Sequence, residues 1–258
     1  MASWTRELAP LGIEVLNAAV VSYSPAIYYR KTRYLVERLG LDVDTIVVFL
    51  DISDVMDEAW LARHGHSRVG IGEPEPLLER LKWKLVENSV LLRVAWLVVN
   101  HRFRESDRER LALDLEETAW DYNPGIYRDW GEVGFRAAAV NMDRLVAFAR
   151  RHGIRVALVV YPWPDQVFRR RLDSLQVTFW RAWAEQRRVP FINLFPFFID
   201  GGNPEAAIRE YFIASDFHWN AAGHRLVAEA LLACGLGSFI EGVQGESGER
   251  PRMAGSCS

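Results

Sequence analysis

The sequence predicts an α/β fold in which a parallel β-sheet is covered by helices. Short runs of β-branched residues alternate along the chain with stretches of helical apolar periodicity. The run at 155–161 is almost wholly apolar, which is typical of a strand buried on both faces. The chain of 258 residues is long enough for one substantial core, and nothing in its composition indicates a second domain.

The first part of the chain predicts a βαβ unit. Its strands are Ile13 to Asn17 and Thr45 to Leu50, and a helical apolar period runs between them from Ala26 to Leu39. Ser24 and Pro25 predict the helix start, because a serine oxygen accepts a backbone N–H and proline tolerates the first helical position.

A mostly helical insertion of about 55–133 follows the second strand. It contains a helical pair over 76–101 and an aromatic loop over 120–130, which we interpret as a lid or flank. Beyond it, the pattern of helix and strand resumes. The remaining predictions are a helix over 136–152 that stops at Gly153, a strand over 155–161, a helix over 166–188, a strand over 190–194 and a closing helix over 221–234. We assign 1–242 to the domain and predict a disordered polar tail over 243–258.

Composition excludes several classes of function. Half of the residues are apolar, a quarter are charged, and the net charge is -3, so there is no basic surface for nucleic acid or an anionic membrane. The apolar run Val90 to Val99 is about half of the roughly 20 residues that a transmembrane helix needs. Residues 1–12 lack the pattern of a signal peptide. The compartment therefore stays open: cytoplasmic as written, extracytoplasmic if an export signal precedes the chain.

The two cysteines predict neither a disulfide framework nor a metal cluster. Cys234 lies at an apolar helix end and Cys257 lies in the polar tail. His64-Gly65-His66 resembles a metal-binding pair, but no cysteine or carboxylate cluster accompanies it, and neighbouring loop histidines are usually solvated. We therefore predict no metal and no organic cofactor.

Asp216 and His218 are the strongest catalytic candidates. They stand one residue apart in Ser215-Asp216-Phe217-His218-Trp219-Asn220, just before an amphipathic helix that Asn220 can cap. At the mouth of a sheet, such a carboxylate orients the imidazole, and the imidazole activates a hydroxyl. The alternative is a local turn residue beside a buried histidine.

Three segments resemble the SGNH or GDSL-type hydrolases, over roughly residues 4–236. Asp216-Phe217-His218-Trp219-Asn220 is similar to the Asp/His block of branches linked to polysaccharide acylation. The segment 15–25 is similar to the strand and turn in which a glycine N–H helps to form the oxyanion hole, and Ser22 stands in place of that glycine. Phe49-Leu50-Asp51-Ile52-Ser53-Asp54 is similar to the Gly-x-Asn-Asp block, with Ser53 in place of the asparagine. The resemblance implies a flavodoxin-like parallel sheet between helices.

The chain departs from the family in its first block. The family carries its nucleophile in a Gly-Asp-Ser turn after a central strand, some tens of residues before the Asn17 segment, where this chain has only Met1 to Leu16. We therefore expect the central first strand to be missing, through a start placed too late or a genuine fragment. Ser22 and Ser24 are weaker nucleophile candidates, since a turn and a helix cap explain them.

The resemblance implies an ester hydrolase or O-acyl transferase that acts on acyl esters, such as those of a carbohydrate or cell-surface polymer. Asp216 and His218 would be catalytic, Ser22, Ser53 and Asp54 would serve the oxyanion or substrate, and no cofactor is implied. Trp163 and Trp219 are candidates to stack on sugar rings, although core packing explains such aromatics as well. The alternatives are a non-catalytic SGNH-like binding or assembly module and a truncated inactive fragment. A nucleotide binder is disfavoured because no Gly-rich phosphate loop is present.

Overall fold

The computed structural model describes residues 14–20, 22–65, 111–113, 115–199, 202–241 and 257. Within these residues the strands form an open parallel sheet in the order β1-β2-β3. β1 is Thr45–Leu50, β2 is Arg155–Val160 and β3 is Phe191–Asn193. The predicted α/β class is therefore confirmed, with a small sheet.

Strand β2 lies in the middle of the sheet, as its apolar sequence predicts. It pairs along its whole length with β1, from Thr45 opposite Arg155 to Leu50 opposite Val160, and its last residues pair with β3. Residues 156–160 are all buried. Because successive side chains of a strand point to opposite faces, the sheet is covered on both faces at β2.

The helices predicted over 26–39, 136–152 and 221–234 are present with somewhat shifted ends. The helices of the described residues are α1 (Pro25–Glu37), α2 (Asp54–His64), α3 (Glu132–Arg151), α4 (Pro164–Phe168), α5 (Leu175–Arg187), α6 (Phe195–Phe198), α7 (Pro204–Tyr211), α8 (Ala221–Ala233) and α9 (Leu236–Glu241). A 3-10 turn at Glu116–Asp121 and a helical and π-helical turn at Pro124–Gly131 lead into α3. None of the described helices is both long and apolar enough to cross a membrane.

Close packing of α3 on α2 depends on one glycine. A Cβ at Gly134 would lie 2.0 Å from the carbonyl oxygen of Val55, so no larger residue fits without moving a helix. Trp120 lies in the core beside this contact, fully buried, and its indole N–H donates to the carbonyl oxygen of Ile52. Within the predicted insertion, Val55 and Trp120 therefore belong to the core, whereas 123–125 and 128–129 are exposed. The predicted helical pair over 76–101 lies outside the described residues.

Three predictions about secondary structure were wrong. The aromatic loop predicted over 120–130 consists largely of helical turns. Residues 14–17 form no strand, and Leu16 is 52% exposed, because no neighbouring strand in the described part of the chain pairs with them. The helix predicted over 166–188 is broken into α4 and α5. The break occurs where Arg170 adopts a φ of 53° and Ser174 starts α5 by accepting the N–H of Val177.

The prediction that the cysteines form no disulfide was also wrong. Cys234, at the end of α8, is bonded to Cys257, and both residues are buried. The carbonyl oxygen of Cys257 accepts the N–H of Asn193 at 3.2 Å, which places residue 257 beside the end of β3. The chain path brings together two residues that are 23 positions apart. Apart from Cys257, the described residues end at 241.

Candidate active site

The loop 212–220 joins α7 to α8 and carries Asp216 and His218. Phe212 and Trp219 form an antiparallel bridge across it, and the N–H of Ile213 donates to the carbonyl oxygen of His218 at 2.9 Å. Ser215 turns the chain at the loop tip with a φ of 58°. The loop is therefore a tight reversal held by its own backbone.

Asn220 fixes both ends of this loop. Its side-chain oxygen accepts the N–H groups of Ala222 and Gly223, which caps α8 as predicted, and its side-chain amide donates to the carbonyl oxygens of Glu210 and Phe212. Gly223 permits this closeness, because a Cβ there would lie 2.2 Å from the carbonyl oxygen of Tyr211. One amide side chain therefore ties the end of α7 to the start of α8.

Asp216 and His218 form the predicted pair. Oδ1 of Asp216 lies 2.6 Å from Nδ1 of His218 and also accepts the backbone N–H of His218 at 2.9 Å. Burial on its own would raise the pKa of Asp216, but the hydrogen bonds from His218 outweigh it and lower the pKa below its ordinary value. The ionised carboxylate therefore holds a proton on Nδ1 and leaves Nε2 as the basic nitrogen. The side chain of His218 is 58% exposed, so an external hydroxyl can reach it.

The turn after β1 carries a second group of predicted residues, Asp51, Ser53 and Asp54. Oδ1 of Asp51 accepts both the N–H and the hydroxyl of Ser53, at 2.7 and 2.6 Å. Asp54 is buried; its Oδ2 accepts the N–H of Asp51, and its Oδ1 accepts the hydroxyl of Tyr28 on α1 at 2.8 Å. In this arrangement the hydroxyl proton of Ser53 is directed to Asp51.

Burial dominates the electrostatics of this turn. It raises the pKa of Asp51, although hydrogen bonds from Ser53 counteract the rise, and it raises the pKa of Asp54 further because Asp51 lies nearby. Burial and these two carboxyls also raise the pKa values of Tyr28 and Tyr161 well above the ordinary value. The turn therefore resists the accumulation of negative charge.

Tyr161 connects the turn to the loop. It directly follows β2, and Asp51 directly follows β1, and the last residues of the two strands are paired. The hydroxyl of Tyr161 lies 3.3 Å from Oδ2 of Asp51, and its ring meets the ring of Trp219 edge-on at 4.6 Å. The two predicted groups therefore lie at the carboxyl edge of the sheet, where ligands bind in open α/β folds.

The other predicted site residues are Ser22, Trp163 and Trp219. Ser22 has a φ of 58°, a left-handed conformation that favours glycine, but no hydrogen bond in the described part of the chain links it to Asp216 or His218. Trp163 is only 3% exposed, and its ring stacks on Phe217 at 4.0 Å. The indole N–H of Trp219 is buried and meets no acceptor among the described residues.

Ser24 does not cap α1 through its side chain, contrary to the prediction. Its hydroxyl donates instead to Oε1 of Glu58, at 2.7 Å, and the N–H of Ala26 donates to the same oxygen. Asn141 donates to Oε2 of Glu58, so this buried carboxylate joins α1, α2 and α3. No local pattern predicted the roles of Glu58 and Tyr28, because each contacts residues that lie far away in the sequence. For Tyr161 a signal was available, since this residue stands at the end of a predicted strand.

The other histidines of the described ranges contact nearby aromatic rings. His64 stacks on Trp60 at 4.0 Å, and His66 lies outside the described residues. Burial lowers the pKa of His224, whose ring meets Trp219 edge-on. No group of three or more histidine, cysteine or carboxylate side chains within the described ranges is arranged to hold a metal.

Comparison of the chain with protein-family models, with curated proteins and with solved structures finds no match.

Proposed function

We propose that the protein is an SGNH-like ester hydrolase or O-acyl transferase acting on acyl esters, with those of a carbohydrate or cell-surface polymer as the substrate class. The observation that carries the proposal is the pair formed by Asp216 and His218. Its Nδ1–Oδ1 distance of 2.6 Å, its exposed imidazole and its position before a capped helix suit a general base.

The chemistry follows from this pair. Nε2 of His218 takes the proton of a serine hydroxyl as the serine oxygen bonds to the ester carbonyl carbon. The imidazolium then gives the proton to the leaving alcohol as the ester bond breaks, and an acyl-enzyme remains. Water or an alcohol acceptor attacks that acyl group in the second half, with the same base, and releases the serine. Asp216 holds the tautomer and stabilises the imidazolium throughout.

The backbone N–H of Ser22 is the proposed oxyanion donor. Ser22 has a left-handed backbone conformation, which favours glycine, and it stands where the resembling family has a glycine. Ser53 has a weaker claim, since Asp51 accepts both its N–H and its hydroxyl. By resemblance, the nucleophile is the serine of a Gly-Asp-Ser turn that precedes the Asn17 segment.

The test is hydrolysis of 4-nitrophenyl acetate by the protein as its own cells produce it. We expect His218→Ala to lower kcat/KM by about 10³-fold or more, because the general base is removed. His64→Ala is the matched control; it removes an imidazole that contacts Trp60 and should change kcat/KM less than about twofold. A folded His218→Ala protein with undiminished activity would contradict the role of His218.

A fluorophosphonate probe would locate the nucleophile in the same preparation. We expect it to label one serine, and the labelling to be slower in His218→Ala. Mass spectrometry of the labelled peptide then distinguishes the expected Gly-Asp-Ser serine from Ser22.

A non-catalytic binding module is the second candidate, and the hydrogen bonds of Ser53 favour it. With both of its donors directed to Asp51, Ser53 offers no donor to a developing oxyanion. This candidate predicts that acetylated oligosaccharides bind without turnover and that no serine reacts with the fluorophosphonate.

A further inference from the structure

The geometry points to Tyr161 as the residue that positions the loop 212–220, and with it His218, against the turn 51–54. We propose that Tyr161 does this through two separate contacts, one made by its hydroxyl and one by its ring. As a role in catalysis, this inference rests on the proposed esterase function; as a structural link, it can be tested without any activity.

The hydroxyl contact fixes Tyr161 to the turn. Its oxygen lies 3.3 Å from Oδ2 of Asp51, whose other oxygen accepts from Ser53. Asp51 and Tyr161 follow paired ends of neighbouring strands, so this side of the link stands on the hydrogen-bonded sheet. The hydroxyl end of Tyr161 is therefore fixed to the turn.

The ring contact reaches the loop. Tyr161 meets Trp219 edge-on at 4.6 Å, and Trp219 is the neighbour of His218 and bridges to Phe212. The rings of Trp163 and Phe198 also contact the loop, at Phe217 and at Phe212 and Trp219. The hydrogen bonds that shape the loop come from within 210–223 and do not reach the strand ends. Tyr161 thus joins a locally folded loop to the sheet edge where the proposed chemistry takes place.

Tyr28 provides a matched control for the hydroxyl. It also donates a phenol hydrogen bond to a carboxyl of this turn, at 2.8 Å from Asp54, but it lies on α1 and is in no ring contact with Trp219. Tyr28→Phe and Tyr161→Phe therefore each remove one phenol–carboxyl hydrogen bond, and only Tyr161→Phe weakens the link to the loop.

The activity-independent experiment follows the indole N–H of Trp219 by NMR in protein labelled with ¹⁵N-tryptophan, the signal being assigned with Trp219→Phe. This N–H is buried. We expect its exchange with solvent to become about tenfold faster in Tyr161→Leu, because one of the rings that pack against Trp219 is lost, and to be unchanged in Tyr28→Phe. Unchanged exchange in a folded Tyr161→Leu protein would overturn the link.

The kinetic experiment measures kcat and KM for 4-nitrophenyl acetate. We expect Tyr161→Phe to lower kcat about five- to tenfold at unchanged KM, since a small displacement of a general base slows proton transfer without weakening binding. Equal losses in Tyr28→Phe and Tyr161→Phe would assign the effect to the carboxyl cluster as a whole and overturn the positioning role. A wild-type protein with no turnover would refute the proposed function, while the exchange experiment would still decide the link.

Discussion

The loop with Asp216 and His218 and the turn with Asp51 and Asp54 lie at the same edge of the sheet but are held in opposite ways. The loop is exposed and is shaped by hydrogen bonds among neighbours in sequence, from Asn220 above all. The turn is held by groups from α1 and from the residue after β2, and Asp54 is buried. The exposed carboxylate is kept ionised, whereas the buried carboxyls are kept from ionising easily. The proposed base and the turn beside it therefore lie in opposite electrostatic environments.

The largest expected effect concerns the ionised side of this comparison. Asp216→Asn replaces the carboxylate that accepts from Nδ1 of His218 by an amide that does not fix the same tautomer. We expect kcat/KM for 4-nitrophenyl acetate to fall by about 10³- to 10⁴-fold, as when the equivalent carboxylate of a serine triad is lost. The urea midpoint should change little, because the side chain is 40% exposed.

Asp54→Asn is the control for that substitution, since it alters a carboxyl of the other region. A loss of activity in Asp54→Asn as large as that in Asp216→Asn would mean that the two regions are not divided in function.

The loop and the turn also differ in how well the sequence predicts their contacts. Asp216, His218 and Asn220 interact with residues within ten positions, so local spacing, together with the family resemblance, predicted the pair and the helix cap. Tyr28 meets Asp54 across 26 residues and Ser24 meets Glu58 across 34, and no local pattern encodes such distances. For the same reason Ser24 was wrongly predicted to cap α1. The strand predicted at 14–17 has suitable residues, but a strand also needs a neighbour with which to pair.

The next prediction concerns the disulfide, whose removal leaves both the loop and the turn intact. Cys234→Ser with Cys257→Ser removes the disulfide that ties residue 257 to the end of α8. We expect the free energy of unfolding to fall by about 3 kcal/mol, because the bond closes a loop of moderate length in the unfolded chain. Urea unfolding measures it, and dithiothreitol should lower the stability of the wild type but not of the double variant. Two free thiols in the denatured, unreduced wild type would contradict the bond.

A smaller loss of stability is expected from a substitution at Gly223, where the start of α8 lies close to the end of α7. Gly223→Ala would place a Cβ 2.2 Å from the carbonyl oxygen of Tyr211, so the start of α8 must move away from α7. We expect a loss of about 1–3 kcal/mol in urea unfolding, together with reduced esterase activity. Ala233→Gly, at the exposed end of the same helix, should cost less than about 1 kcal/mol and leave activity unchanged. Wild-type stability in Gly223→Ala would mean that the loop and helix are not packed as described.

The smallest effect separates the two regions by the sign of their pH dependence. The pKa of Asp54 is raised by folding, so its contribution to stability is fully present below the unfolded-state pKa of about 3.9 and is lost as the pH rises through the folded-state value. The pKa of Asp216 is lowered, so its contribution is present above about 3.9 and is lost as the pH falls through the folded-state value. Urea midpoints from pH 3 to pH 8 should therefore show Asp54→Asn gaining on the wild type as the pH rises. Asp216→Asn should instead reach the urea midpoint of the wild type only at acid pH. Parallel curves of urea midpoint against pH for the two variants would contradict this prediction, because they would mean that Asp54 and Asp216 affect stability in the same way despite their different burial.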